Sequence, residues 1–198
     1  MDIHARNVVR GCFYQLRQLR TVQRSLTFEA RRALVTAFIA SRVDYCNSVF
    51  YGVSKKTIHR LQICLNAAAR LVTGVGKYSH ITPVMRDTLH WLPIEQRITF
   101  KIATLAFDCV RKTCPAYFSG ICSSLTGIGG RSHLRSAQRG DVMVPRSRTA
   151  ALGPRSFRVA APAIWNSLPP YLHLSTISRR QFRAGLKTHL FKEAYAFS

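Results

Sequence analysis

The sequence predicts a mainly α-helical protein, a helical bundle with a basic, turn-rich C-terminal part that ends in a helix. Before about residue 115, apolar residues recur at spacings of three and four, as on one face of a helix. Residues that favour helix starts precede these segments, and glycine or proline follows them. After about Ser123 the chain becomes rich in arginine and glycine, which favours turns. We therefore predict a helical domain at residues 1–125 and an arginine-rich segment at residues 126–198.

The first two predicted helices differ in how much of their surface is apolar. Ile3 to Leu19 carries one stripe, whose members are Val8, Cys12, Leu16 and Leu19. The second helix is capped by Thr27 and runs to about residue 46. It carries two stripes: Ala30, Ala33, Leu34, Ala37, Phe38 and Tyr45, and then Val35, Ile39, Val43 and Cys46. A helix that is apolar over most of its circumference is expected to be buried.

A third helix is predicted from Lys55 to Thr73, capped by Ser54 and stopped by Gly74. Its packing seam is Ile58, Leu61, Leu65, Ala68 and Val72. The stretch from His80 to Ile102 then turns the chain at a tryptophan and a proline, and the proline suits the start of a helix from Ile94. The first turn of that helix holds Glu95 and Arg97, interpreted as a capping acid and a solvated charge. Asp44 and Asp108 are expected to pair with arginines.

Two kinds of local structure are predicted after residue 125. The segments 142–144 and 157–159 have the composition of short strands, so a short β-hairpin is possible there. Residues 160–168 are predicted to form a short helix that carries Trp165. Ser178 is predicted to cap the last helix, whose apolar stripe is Phe182, Leu186 and Leu190.

The charge of the chain is strongly unbalanced. Thirty basic residues, 23 of them arginine, stand against eight acidic ones, which gives a formal net charge of +22. Such a charge opposes compaction by self-repulsion and favours a polyanionic partner. The arginine fork can bond two phosphate oxygens at once, so nucleic acid, RNA or DNA, is the predicted partner.

The predicted phosphate contacts lie between Ser123 and Gln181, a stretch with a single acidic residue and no lysine. They are Arg131, Arg135, Arg139, Arg146, Arg148, Arg155, Arg158, Arg179 and Arg180. Arginine positions phosphates, and aromatic side chains can stack on bases. The alternative is that these arginines form a solvated face. Phe157 and Trp165 are more often core residues than base-stacking residues.

The sequence argues against catalysis by this chain alone. Nucleases and polymerases need clustered carboxylates to hold Mg²⁺, and the eight acids here are scattered. Cys109, Cys114, Cys122 and His133 offer three thiols and an imidazole to a zinc ion, but their spacing matches no finger or knuckle pattern. We therefore predict no metal and no cofactor, with the six cysteines acting mainly as small buried hydrophobes.

The sequence predicts no membrane association. No segment approaches the roughly 18 to 20 apolar residues that span a bilayer. The N-terminal residues MDIHARNVVRGC lack the apolar region of a secretory signal. A reducing nuclear or cytoplasmic location is therefore expected, not secretion.

Seven stretches resemble the C-terminal region of the reverse-transcriptase polyprotein of non-LTR retrotransposons of the LINE type, including the jockey-like elements. The stretches are CFYQLRQLR (12–20), FIASRVDYCNSVFYG (38–52), LQICLNAAARLVTG (61–74), HITPVMRDTLHWLPIEQRITFKI (80–102), VPRSRTAALGPRSF (144–157), AAPAIWNSLPPYL (160–172) and FRAGLKTHLF (182–191). They cover nearly the whole chain in the expected order.

The resemblance implies a non-catalytic region that follows an endonuclease and a polymerase. The polymerase motif Tyr-x-Asp-Asp does not occur, since Asp44-Tyr45-Cys46 lacks the second acid. The implied role is to hold template RNA or target DNA near the polymerase, which would itself be a partner. Two alternatives stay open: a helical module that docks on the polymerase, and a truncated relic that begins at Met1.

Overall fold

In a computed structural model the chain is mainly α-helical, which confirms the predicted fold class. The structure describes residues 1–125, 139–147, 149–150 and 152–196. These ranges contain seven α-helices: α1 (Asp2–Val22), α2 (Phe28–Val35), α3 (Ser41–Asp44), α4 (Lys55–Thr73), α5 (Ile94–Val110), α6 (Phe157–Ser167) and α7 (Arg179–Tyr195). Two π-helical turns occur at Thr36–Ala40 and Val84–Thr88.

The chain packs as two compact units. Unit 1 comprises Met1–Ile98 with Ala194–Ser198, and unit 2 comprises Thr99–Glu193. This division follows packing, whereas the predicted division at residue 125 follows charge and turn content. The division at residue 125 therefore stays a prediction.

Unit 1 is built on the packing of α1 against α4. Cys12 and Leu16 of α1 are fully buried, as are Leu65 and Ala68 of α4. Ala69 of α4 is buried as well, and such small side chains let helix backbones approach closely. The packing stripes predicted for these two helices are therefore confirmed at their central positions.

The predicted caps of unit 1 are present. The Thr27 hydroxyl accepts a hydrogen bond from the Ala30 amide at 3.2 Å, and the Ser54 hydroxyl accepts one from the Thr57 amide at 3.4 Å. Each satisfies one amide that the first turn of a helix leaves without a partner. Gly74 ends α4 with φ of 76°, a left-handed conformation that glycine adopts without strain.

The second predicted helix is not buried all round, which corrects the prediction. Its continuity is interrupted by the π-helical turn Thr36–Ala40. Three positions of one stripe pack inward, with Val35, Ile39 and Val43 buried, whereas Cys46 of the same predicted stripe is exposed. The other stripe stays accessible, since Phe38 is 42% and Tyr45 is 73% exposed. Apolar width alone did not predict burial, because no element among the described residues covers the second stripe.

The expected partner of Asp44 is present, and the interpretation of Arg97 as a solvated charge is wrong. Arg97 donates to Asp44 Oδ2 at 2.7 Å and to the Leu92 carbonyl at 2.8 Å. Its guanidinium also lies 5.8 Å from the centre of the Trp91 ring. Only 15% of the Arg97 side chain is exposed. This arginine is therefore a structural group of unit 1.

The possible hairpin does not form in the described residues. Residues 157–159 begin α6 instead of forming a strand. Val142 makes one isolated antiparallel bridge with Ser124, in which the Met143 amide donates to the Ser123 carbonyl at 2.9 Å. Asn166 of α6 occupies the other edge of residue 142, accepting from its amide and donating to its carbonyl, both at 2.8 Å. A side chain thus takes the place of the predicted second strand.

Candidate nucleic-acid interface

An aromatic cluster holds α5, α6 and α7 together in unit 2. The ring of Phe107 lies 4.4 Å from that of Phe182 and 6.4 Å from that of Trp165, centre to centre. All three side chains are buried, so Trp165 is a core residue, as the sequence favoured. The Trp165 indole nitrogen donates to the Gly140 carbonyl at 2.9 Å, which satisfies its buried polar atom. The cluster therefore sets how the surface of α7 is presented beside α5.

The start of α7 is defined by a capping box. The Gln181 side-chain oxygen accepts from the Ser178 amide at 2.9 Å, and the Gln181 amide donates to the Ser178 hydroxyl at 3.3 Å. This reciprocal pair confirms the predicted cap and anchors the first turn. The buried stripe predicted for α7 is also confirmed, at Phe182, Leu186 and Leu190.

Asp108 of α5 pairs with Arg179 of α7, as expected from the sequence. Nε of Arg179 lies 2.7 Å from Asp108 Oδ1, and Nη2 lies 2.9 Å from Oδ2, so the pairing is bidentate. This hydrogen bond and the carboxylate charge raise the pKa of Arg179. The carboxylate is largely covered, whereas 54% of the Arg179 side chain stays exposed. Asp108 thus orients a guanidinium that remains accessible.

Basic side chains of α7 line a cleft beside α5, here called the α7 cleft. It is open to solvent, has a volume of about 470 Å³ and is lined by Phe100, Arg179, Arg180, Arg183, Ala184 and Lys187. Arg180, Arg183 and Lys187 are all exposed. The Arg183 guanidinium lies 5.8 Å from the centre of the Phe100 ring. The cleft therefore combines four cationic groups with one aromatic wall.

The nine predicted contacts fall into three groups. Arg131, Arg135 and Arg148 lie outside the described residues. Arg179 and Arg180 meet in the α7 cleft. The structure places the other four elsewhere in unit 2: Arg139, Arg146, Arg155 and Arg158.

Arg139 has partners within unit 2. Its Nη2 donates to the Asn166 carbonyl at 3.0 Å, and its Nε lies 3.5 Å from a carboxylate oxygen of Asp141. Arg146 and Arg158 are exposed, whereas Arg155 is half-buried in the 3₁₀ turn Gly153–Arg155. Among these four, Arg146 and Arg158 have the accessibility that a phosphate contact requires.

Four residues of the α7 cleft were absent from the predicted set: Phe100, Arg183, Ala184 and Lys187. The helical spacing from Arg179 to Arg183 and Lys187 is four residues at each step, which places them on one face. The sequence alone therefore indicates that these basic residues share a face. It does not indicate that Phe100 lies beside them, because that depends on the packing of α5 against α7.

The cysteines considered as metal ligands lie together in unit 2. Burial, followed by the neighbouring thiols of Cys122 and Cys114, raises the pKa of Cys109 to about 12. Burial also raises the pKa of Cys122 to about 11. Among the described residues no group of His, Cys, Asp and Glu is placed to hold a metal ion; His133 lies outside them.

None of the helices that the structure describes has the length and apolar character needed to cross a membrane.

Comparisons with models of known protein families, with curated proteins and with solved structures find no match.

Proposed function

We propose that this chain is a non-catalytic nucleic-acid-binding segment of a non-LTR retrotransposon reverse transcriptase. It positions template RNA or target DNA through contacts between basic side chains and phosphates. The observation that carries the proposal is the α7 cleft, where four cationic groups share one face and one of them, Arg179, has an acidic partner. The resemblance of the quoted stretches to such reverse transcriptases supports the assignment to that class.

The electrostatics of the α7 cleft fit a phosphate backbone. Arg179 is held by Asp108, so its orientation is defined before any ligand binds. Arg180, Arg183 and Lys187 extend the same face along α7 over two turns. Binding phosphates to such groups releases counterions, so the affinity must fall steeply as salt concentration rises.

The test is the salt dependence of binding of the full chain to RNA and to duplex DNA. The triple variant Arg180→Gln, Arg183→Gln, Lys187→Gln removes three cations from the α7 cleft. Each lost phosphate contact is expected to reduce the slope of log K against log salt by about one unit. Affinity at low salt should fall for all sequences alike, because phosphates carry no base identity.

A charge-matched control separates a local site from general attraction. Arg17→Gln, Arg20→Gln, Arg24→Gln removes three exposed cations of unit 1 and gives the same net charge. The control should keep the wild-type slope. Equal losses in both variants would show attraction to total charge instead of the α7 cleft, and a flat salt dependence of the wild type would exclude the proposed function.

A specific observation also favours docking on the polymerase part of the parent polyprotein. Phe38 and Tyr45 of unit 1 are both exposed, and both belong to the apolar stripe predicted for the second helix. Their replacement by serine should weaken co-sedimentation of the full chain with a polymerase domain of this retrotransposon class. The control Tyr78→Ser changes a side chain that is 92% exposed elsewhere in unit 1. Unchanged co-sedimentation of the Phe38 and Tyr45 variant would exclude docking at this stripe.

A further inference from the structure

The α7 cleft differs from an ordinary basic surface in having an apolar wall. Phe100 of α5 is half-buried and lines the cleft together with the basic side chains of α7. A purely electrostatic surface for a phosphate backbone has no need of an aromatic ring. The ring is therefore the feature of the cleft that the proposed function leaves unexplained.

Space for a flat group exists beside this ring. Ala184 is the one small side chain among those lining the cleft, so it fills less of the cleft than the arginine and lysine side chains do. The cleft volume of about 470 Å³ is large compared with the single water molecule that a minimal cavity holds. A planar ring could enter over Ala184 and contact Phe100, while the cations on α7 contact the backbone that carries it.

Arg183 supports the same interpretation. Its guanidinium lies 5.8 Å from the centre of the Phe100 ring, within the range of cation–π attraction. Both groups present planar faces on which a base can stack. Exposed Arg180 and Lys187 remain available for the phosphates on either side.

We propose that the α7 cleft binds single-stranded nucleic acid by stacking an unpaired base on Phe100 and Arg183. This rests on the proposed function and deepens it. A base inside a duplex is stacked on its neighbours and cannot enter the cleft without unpairing, which costs a few kcal/mol. The cleft therefore discriminates by strand state and not by sequence, because every base offers a stacking face.

The experiment measures the affinity of the full chain for a 12-nucleotide RNA with a central 2-aminopurine, and its affinity for the same strand in a duplex. Phe100→Leu removes the ring and keeps an apolar side chain, and Phe100→Tyr restores an aromatic face. Phe100→Leu should lower the affinity for the single strand about tenfold, the effect of losing one stacked base. Affinity for the duplex should change less than twofold, and Phe100→Tyr should recover single-strand binding.

The outcomes separate the two proposals. Equal effects of Phe100→Leu on both substrates, or none on either, overturn base stacking and leave the proposed function standing. Absence of salt-dependent binding by the wild type overturns both. If Phe100→Leu unfolds, photocrosslinking of the wild type to a 5-iodouridine strand replaces it. Crosslinks at Phe100 support stacking, and crosslinks confined to other peptides overturn it.

Discussion

Units 1 and 2 both contain many basic residues, yet they bury their apolar side chains in different ways. Unit 1 packs two long helices, α1 and α4, along seams of aliphatic and small side chains. Unit 2 joins α5, α6 and α7 through the rings of Phe107, Trp165 and Phe182. In unit 1 many side chains each contribute a little, and helical spacing in the sequence predicts which ones they are. In unit 2 the packing energy is concentrated in a few rings, which come from three different helices.

The ion pairs of the two units differ in a parallel way. Arg97 in unit 1 is only 15% exposed and bonds Asp44 and a carbonyl, so its charge is used within the fold. Arg179 in unit 2 bonds Asp108 and still leaves 54% of its side chain exposed. The Asp44–Arg97 pair stabilises the fold, whereas the Asp108–Arg179 pair orients a cation that stays exposed to solvent. Arginine content alone does not distinguish these two roles.

The largest expected effect comes from the aromatic cluster. Trp165→Ala should lower the free energy of unfolding by about 3 to 5 kcal/mol, because it removes a fully buried ring and leaves a cavity. Hydrogen exchange should show loss of protection in α6 and α7 while α1 and α4 keep theirs. The matched change Leu65→Ala in unit 1 should give the opposite pattern. Uniform loss of protection in both variants would show that the units unfold together.

Breaking the two ion pairs should have smaller effects on the free energy of unfolding, and these effects should differ between the pairs. Asp44→Asn should cost about 2 kcal/mol, since the poorly exposed Arg97 loses a charge-assisted hydrogen bond. Asp108→Asn should cost less, about 1 kcal/mol at most, because Arg179 is already more than half exposed and water solvates its charge. Chemical denaturation measures both. A larger cost for Asp108→Asn than for Asp44→Asn would contradict the distinction between a structural and a presenting pair.

The smallest expected effects concern the helix caps. Ser178→Ala should destabilise by about 1 kcal/mol, since it breaks both hydroxyl bonds to Gln181, at 2.9 and 3.3 Å. Thr27→Ala in unit 1 should cost somewhat less, because its hydroxyl accepts one bond, from Ala30. Thermal unfolding of the two variants against wild type provides the comparison. Equal shifts would mean that the second bond, from the Ser178 hydroxyl to the Gln181 side chain, adds nothing.

Much of the fold was predictable from residues close together in the chain. The caps at Thr27, Ser54 and Ser178 and the end of α4 at Gly74 follow from side-chain and backbone chemistry within one helical turn. Spacing likewise predicted the buried stripes of α1, α4 and α7. The possible hairpin was not confirmed, because the composition of residues 157–159 suits both a strand and a buried helix.

The candidate site was predictable only in part. Arg179 and Arg180 were named from composition, and the spacing of Arg183 and Lys187 places them on the same face. Phe100 could not be assigned to that face, because it lies on α5, and periodicity relates residues within a single helix only. Its role depends on which helix packs beside it.

Local sequence thus accounts for where the helices start and stop, which stripes can be buried, and the strong positive charge. Tertiary packing accounts for which arginines are bonded within the fold and which stay exposed to a ligand. Arg97 meets Asp44 across 53 positions, and Arg179 meets Asp108 across 71. Capping and periodicity act over about four residues, whereas these pairs exist only after distant helices have packed. The uncovered stripe at Phe38 has the same origin, because burial requires a neighbour and not merely an apolar face.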